Sequence, residues 1–111
     1  MTAKDIYTIA LGLLGYTDSA EFQRRAIPIF NKVYYDLYRI SGNKEEFEPI
    51  RSLNEAVKLP DNVKLSIMPS GVAELLALGE GDGELQQYFS ADYNRLRARL
   101  SKSDKIDNIF Q

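Results

Sequence analysis

The chain contains 111 residues, of which 14 are basic and 16 acidic, and its formal net charge is −2. That length suits one domain with one core, and so small a net charge argues against binding a polyanion through bulk electrostatics. The absence of histidine and cysteine removes the commonest general base, thiolate chemistry and the usual zinc ligands. We therefore expect a single domain over residues 1–111, no enzymatic activity, no cofactor or metal site and, because no apolar run is long enough, no membrane span.

Helical spacing of apolar residues predicts two helices before residue 42. The first follows Thr2, a good N-cap, and ends before Gly15, which suits a helix C-terminus. The second runs from about Ala20 to Ile40, and Pro28 inside it predicts a kink or the start of its regular part. Their apolar faces consist of Ile6, Ile9, Ala10, Leu13 and Leu14 in the first helix, and of Phe22, Ala26, Ile29, Phe30, Val33, Leu37 and Ile40 in the second.

Both helices carry additional apolar residues beside these faces, namely Tyr7 and Leu11 on the first and Ile27, Tyr34 and Tyr38 on the second. A helix with so wide an apolar face is buried on more than one side, by its own domain or by a neighbouring subunit. Tyrosines one turn apart can stack bases, but packing in a core or an interface is the commoner use. Tyr34 and Tyr38 are therefore candidate interface residues.

Residues 43–60, which we call the connector, show no sustained apolar period. The connector contains Phe47, Ile50 and Leu53 at irregular intervals, and Pro60 favours extended geometry at the residue before it. A short strand or turn is expected around residues 56–59. Because long loops in a compact domain are usually functional or bound to a partner, we expect the connector to be a contact arm, with Phe47, Ile50 and Leu53 as candidate interface residues.

The remaining sequence predicts a helical hairpin. Its first helix begins at Asp61 and carries Pro69, so we expect either one kinked helix or two coaxial pieces. A glycine-rich acidic turn occupies residues 79–83, and a last helix runs from about Glu84 to Ser101. The apolar faces are Leu65, Met68, Val72, Leu75 and Leu76 in the first helix, and Leu85, Phe89, Tyr93, Leu96 and Leu100 in the second. The whole pattern predicts an all-α bundle of about four helices.

The acidic residues suggest no chemistry of their own. The turn at residues 79–83 lacks the ligand spacing of a calcium loop and the lysine of a phosphate-binding loop, so we interpret it as a helix–helix turn. Glu45, Glu46 and Glu48 are a solvated charge run rather than an acid–base pair, because no apolar pocket is predicted around them.

The end of the chain offers two further candidate surfaces. Arg95, Arg99 and Lys102 follow one flank of the last helix beside Tyr88, and such a flank can face phosphates, an acidic partner or only solvent. Residues 103–111 are expected to form a short flexible tail or a docking segment. The candidate interface residues of this tail are Ile106, Ile109 and Phe110.

Several short motifs resemble tailed-bacteriophage head–tail connector proteins, also called head-completion or adaptor proteins, which occur in prophages too. The likeness covers about half of the chain well and the first two helices loosely, and it involves packing and turn residues only. It is carried by Leu59-Pro60-Asp61, Pro69-Ser70-Gly71-Val72-Ala73, Leu75-Leu76-Ala77, Gly81-Asp82, Tyr88-Phe89 and Tyr93, with Phe47, Pro49, Ile50 and Leu53 before them.

This resemblance implies a helical subunit of a cyclic homo-oligomer of about twelve copies. Such a ring joins the portal to a tail or stopper protein and extends the channel through which DNA passes without sequence-specific binding. It assembles in the host cytoplasm and remains in the virion at the head–tail junction. By this analogy the connector contacts neighbouring subunits and the tail contacts the portal. The alternative left open by the residues is a small helical regulator or nucleic-acid-binding module that uses Arg95, Arg99 and Lys102.

Overall fold

The computed structural model describes the backbone of residues 1–110 and the side chains of residues 1–100. It contains five helical segments and, in the described part, no strand, so the all-α prediction is confirmed. The helices are α1 (Ala3–Leu14), α2 (Ala20–Ile40), α3 (Asp61–Ser66), α4 (Met68–Gly79) and α5 (Gly83–Phe110). Helix α4 lies at the centre and contacts all four other helices.

The first two helices begin where their capping residues predict. Thr2 accepts from the backbone of Asp5 while the Asp5 carboxylate accepts from Thr2, a reciprocal capping box. Gly15 ends α1 with a φ of 73°, a conformation that costs glycine little. Ser19 caps α2, which continues through Pro28 to Ile40. Pro28 therefore neither ends the helix nor marks its beginning.

The connector packs against α1 and α2 instead of projecting from the domain. Asn31 of α2 donates to the backbone oxygen of Ile50 at 3.0 Å and accepts from its N–H at 2.8 Å. The backbone N–H of Lys58 donates to the Tyr34 hydroxyl at 2.9 Å. Where a short strand or turn was expected, at residues 56–59, the described residues contain no strand and one isolated bridge, between Thr2 and Ala56. Side-chain partners thus satisfy backbone groups that no regular structure serves.

The predicted helix at Asp61 divides into α3 and α4, as two pieces that meet at Ile67. The break precedes Pro69, which lies in the first turn of α4, where proline is favoured. The bend expected at Pro69 therefore occurs two residues earlier, at Ile67. The break also changes which residues face inward: Val63 and Ile67 are buried, whereas Leu65, predicted to be buried, is 48% exposed.

Helices α4 and α5 form the predicted hairpin. Gly81, with a φ of 72°, reverses the chain, and the Asp82 carboxylate accepts from the backbone of Leu85 in the first turn of α5. Arg25 of α2 pairs with Glu80 and fixes this turn to the second helix. The backbone of α5 continues to Phe110, so the helix extends beyond Ser101, where we expected it to end and a tail to follow.

Candidate subunit interface

Tyr34 and Tyr38 belong to the core of the folded chain. Only 3% of Tyr34 and 7% of Tyr38 is exposed. Both rings meet the half-buried Phe47 edge to face, with ring centres 5.0 and 5.4 Å away. Their hydroxyls are also engaged, since Tyr34 accepts from Lys58 and Tyr38 donates to the backbone oxygen of Glu45. These tyrosines hold the connector on α2, and we withdraw them as interface candidates.

Ile50 and Leu53 are also buried within the chain, at 4% and 7% exposure. The connector therefore supplies core side chains, and Phe47 contacts its own chain's tyrosines. Sequence reasoning missed this because the connector's apolar residues follow no helical or strand period. The available signal was Asn31, a polar residue within a largely apolar helix segment, which binds the Ile50 backbone. Tyr7 and Leu11, at 1% and 6% exposure, are buried by their own domain, which is one of the two alternatives for the wide apolar face of α1.

The predicted basic flank of α5 is exposed but partly neutralised. Arg95 and Arg99 are both on the surface, and Tyr88 is 64% exposed. The Arg95 guanidinium pairs with Asp92, which also accepts from the Ser70 hydroxyl at 2.6 Å. The Ser70 hydrogen bond, followed by that of Arg95, keeps the pKa of Asp92 below its usual range. The side chains of Lys102, Ile106, Ile109 and Phe110 lie outside the described residues.

An apolar patch lies where α1, α3 and α5 meet. Three large side chains form it, Leu13, Leu65 and Tyr88, and they are 49%, 48% and 64% exposed. They border a shallow hollow of about 420 Å³, to which Ile9 and Phe89 also contribute. Exposed large apolar residues that converge from three helices mark an interaction surface more specifically than isolated ones do. The sequence placed Leu13 and Leu65 in the core because their spacing is helical.

A second region, which we call the charged groove, lies between α2, α4 and α5. Lys32, Tyr35, Arg39 and Glu74 border it, and its volume is about 400 Å³. Asp36 and Tyr93 line the groove, and the Asp36 carboxylate accepts from the hydroxyl of Tyr93 and from two nitrogens of Arg97. We call Asp36, Tyr93 and Arg97 the groove clamp. None of the residues lining the groove also lines the hollow of the apolar patch.

The groove clamp fixes protonation states as well as geometry. The Arg97 guanidinium, which donates to Asp36, holds the pKa of that carboxyl below its usual range. Burial and the hydrogen bond to Asp36 raise the pKa of the Tyr93 hydroxyl. The clamp therefore keeps one negative and one positive charge at neutral pH and leaves the tyrosine neutral. The groove clamp was not predicted from the sequence, because Tyr93 and Arg97 lie 57 and 61 residues from Asp36 along the chain.

Comparison with known proteins does not place the chain in a family: protein-family models, curated proteins and solved structures all gave no match. In the part of the chain that the structure describes, no helix is both long and apolar enough to cross a membrane. The same residues contain no cluster of three acidic side chains suited to a metal ion. A functional assignment has to come from the surfaces described above and from the motifs of the sequence.

Proposed function

We propose that this protein is a non-enzymatic structural subunit of a bacteriophage or prophage head–tail connector ring. The single observation that supports it best is the presence of two separate exposed regions, the apolar patch and the charged groove. A cyclic ring requires a heterologous interface, in which one surface of each subunit binds a different surface of the next. A subunit with two distinct regions meets that requirement.

The motifs between Pro69 and Tyr93 that resemble connector proteins share one structural role. Ser70 donates to Asp92, and Gly71 lies against the Tyr93 ring so closely that a Cβ atom would be 2.8 Å from it. Gly81 and Asp82 form the turn between the same two helices. The shared residues thus join α4 to α5, and this hairpin carries part of each exposed region. A resemblance in these positions is a resemblance in the scaffold that presents the surfaces.

The apolar patch supplies the larger share of the binding energy in this proposal. Complete burial of a leucine-sized side chain contributes about 1.5–3 kcal/mol. The three patch residues are each about half exposed or more, so burying their remaining surface contributes on the order of 1 kcal/mol apiece. Such a surface suits a subunit that associates weakly alone and assembles on a template. The proposed template is the portal protein, with a tail or stopper protein on the other side of the ring.

The proposal is tested first by gene position and then by assembly. We expect the gene to lie beside those for a portal, a major capsid protein and tail-completion proteins. Mixing the purified protein with the portal from that gene cluster should give a ring-sized complex in native mass measurements. The variant Leu65→Glu with Tyr88→Glu should abolish the complex, whereas Glu46→Lys, on the connector surface, should not. Failure of the wild-type protein to associate at micromolar concentration would reject the proposal.

A further inference from the structure

A basic hollow lies on another part of the surface, where the first turns of α1 and α2 meet the connector. Its volume is about 670 Å³. Three basic side chains border it, Lys4, Arg24 and Arg51, and no acidic residue does. The other lining residues are Ala20, Gln23, Ile27, Ser52, Leu53 and Asn54. Since the whole chain is slightly acidic, a depression bordered by three cations concentrates positive potential locally.

The three basic side chains are available to a ligand. All three residues are exposed. The ion pairs among the described side chains involve Arg25, Lys64, Arg95 and Arg97, and none of them uses a cation of the hollow. The N-terminal end of α2, whose first residue lines the hollow, adds the positive end of a helix dipole.

The acidic groups nearest to the hollow have other partners. Asp18 accepts from the Tyr7 hydroxyl at 2.7 Å and from the Gln23 amide at 2.9 Å. Glu55 accepts from the backbone N–H groups of Arg51 and Ser52, both at 2.6 Å. These carboxylates organise the walls of the hollow, and although Asp18 interacts electrostatically with Lys4, neither carboxylate forms a salt bridge with Lys4, Arg24 or Arg51. They also moderate the local charge, which favours weak and reversible binding.

We propose that this basic hollow binds the phosphate backbone of duplex DNA without reading its bases. Guanidinium groups match phosphate oxygens in pairs, and lysine adds a third point charge. The lining contains no aromatic side chain on which an unpaired base could stack. A protein partner would favour an exposed apolar centre with a polar rim, whereas here the larger apolar side chains of the lining, Ile27 and Leu53, are half-buried and buried, and all three cations are exposed. The argument rests on these residues alone and does not depend on ring assembly.

Binding of a labelled short duplex, followed by fluorescence anisotropy at several salt concentrations, tests the proposal on the full chain. Three phosphate contacts give a slope of log K against log salt of about −2.7, and non-specific affinities fall at a Kd of about 10⁻⁴–10⁻⁶ M. Two duplexes of unrelated sequence should bind equally. Each single substitution, Lys4→Gln, Arg24→Gln or Arg51→Gln, should reduce the slope by about 0.9. The triple variant should lose detectable binding.

A matched control separates a site from general electrostatics. The triple variant Lys44→Gln, Lys58→Gln, Arg99→Gln removes the same three charges from exposed positions outside both the hollow and the charged groove. It should bind DNA like the wild-type protein, and so should Arg95→Ala with Arg99→Ala. Equal loss of DNA binding in the hollow variant and in the control triple variant would overturn the proposal. The proposal would also be overturned if the hollow variant bound DNA as tightly as the wild-type protein does. A wild-type protein that binds no DNA but self-associates through the hollow in a salt-sensitive way would contradict it too.

Discussion

The connector and the helices that follow it, α3, α4 and α5, hold their places in the fold by different means. The connector has no regular structure, and polar side chains of α2 bind its backbone while its few apolar residues enter the core. The hairpin is regular, and close apolar contact between helices holds it, as where Gly71 meets Tyr93. The comparison shows that a segment without an apolar period can supply side chains to the core, whereas helix α3, predicted from its apolar period, exposes Leu65. Periodicity predicts a helix more reliably than it predicts which residues the tertiary structure buries.

Shortening a buried side chain of the connector should have the largest effect on stability and so gives the strongest test of this comparison. Ile50→Ala should lower the free energy of unfolding by about 2–4 kcal/mol, because it removes a buried side chain and leaves a cavity. The matched substitution Leu65→Ala should change it by less than about 0.5 kcal/mol, since half of Leu65 is already in water. Urea denaturation measures both. Similar losses for the two variants would mean that the connector is not part of the core.

A glycine substitution tests the close contact in the hairpin. Gly71→Ala should destabilise the protein by about 1–3 kcal/mol, because the new methyl group meets the rings and methyls of Tyr93 and Val33 at 2.8–2.9 Å. Gly12→Ala, on α1 and with open space around it, should instead stabilise by about 0.5–1 kcal/mol. Thermal and urea denaturation measure the two shifts. A stabilising Gly71→Ala would show that α4 and α5 lie farther apart than described.

Removal of the amide that holds the connector tests the polar attachment. Asn31→Ala should cost about 1–2 kcal/mol, since it leaves both the N–H and the carbonyl oxygen of the buried Ile50 without their partner. Hydrogen exchange should quicken at the Ile50 amide while the α4 amides keep their protection. As a control, Asn62→Ala changes an exposed amide on α3. Uniform loss of protection along the chain would argue against a local attachment.

The groove clamp should make stability depend on pH in one direction. The pKa of Asp36 is lower in the folded chain than in the unfolded chain, so its contribution is present above the unfolded pKa, near 4, and is lost as pH falls through the folded value. Because a third of the side chain is exposed, we expect about 1 kcal/mol at most. Asp36→Asn should therefore have a lower free energy of unfolding than the wild-type protein at neutral pH. In acid, where Asp36 is protonated, the free energies of unfolding of the two proteins should converge. A constant gap across the pH range would contradict the assignment.

Local chemistry explains what could be predicted from the sequence. Capping residues such as Thr2 and left-handed glycines such as Gly15 and Gly81 act over a few residues, so they mark where helices start and stop. The two-piece alternative for the helix at Asp61 was also available, because Pro69 marks a helix start. The end of α5 was placed too early, since Ser101 is a weak stop signal and the backbone continues to Phe110.

The candidate surfaces could not be predicted in the same way. Tyr34 and Leu65 both lie on apolar sides of helices predicted from the sequence, yet Tyr34 is buried and Leu65 lies in the apolar patch. Which of them faces solvent depends on the break at Ile67 and on the connector covering α2. The basic hollow likewise joins Lys4, Arg24 and Arg51, which are too far apart in the chain for any motif to include them.

The sequence by itself therefore determined the all-α class, the helix starts and the absence of histidine and cysteine chemistry, because each depends on residue type or on short-range contacts. Only the tertiary structure decided that the connector is internal, that α3 turns Leu65 outward, and that three distant cations share one hollow. The physical reason is that burial and electrostatic potential depend on every neighbour in space. Spacing along the chain specifies only the neighbours within a helical turn or two.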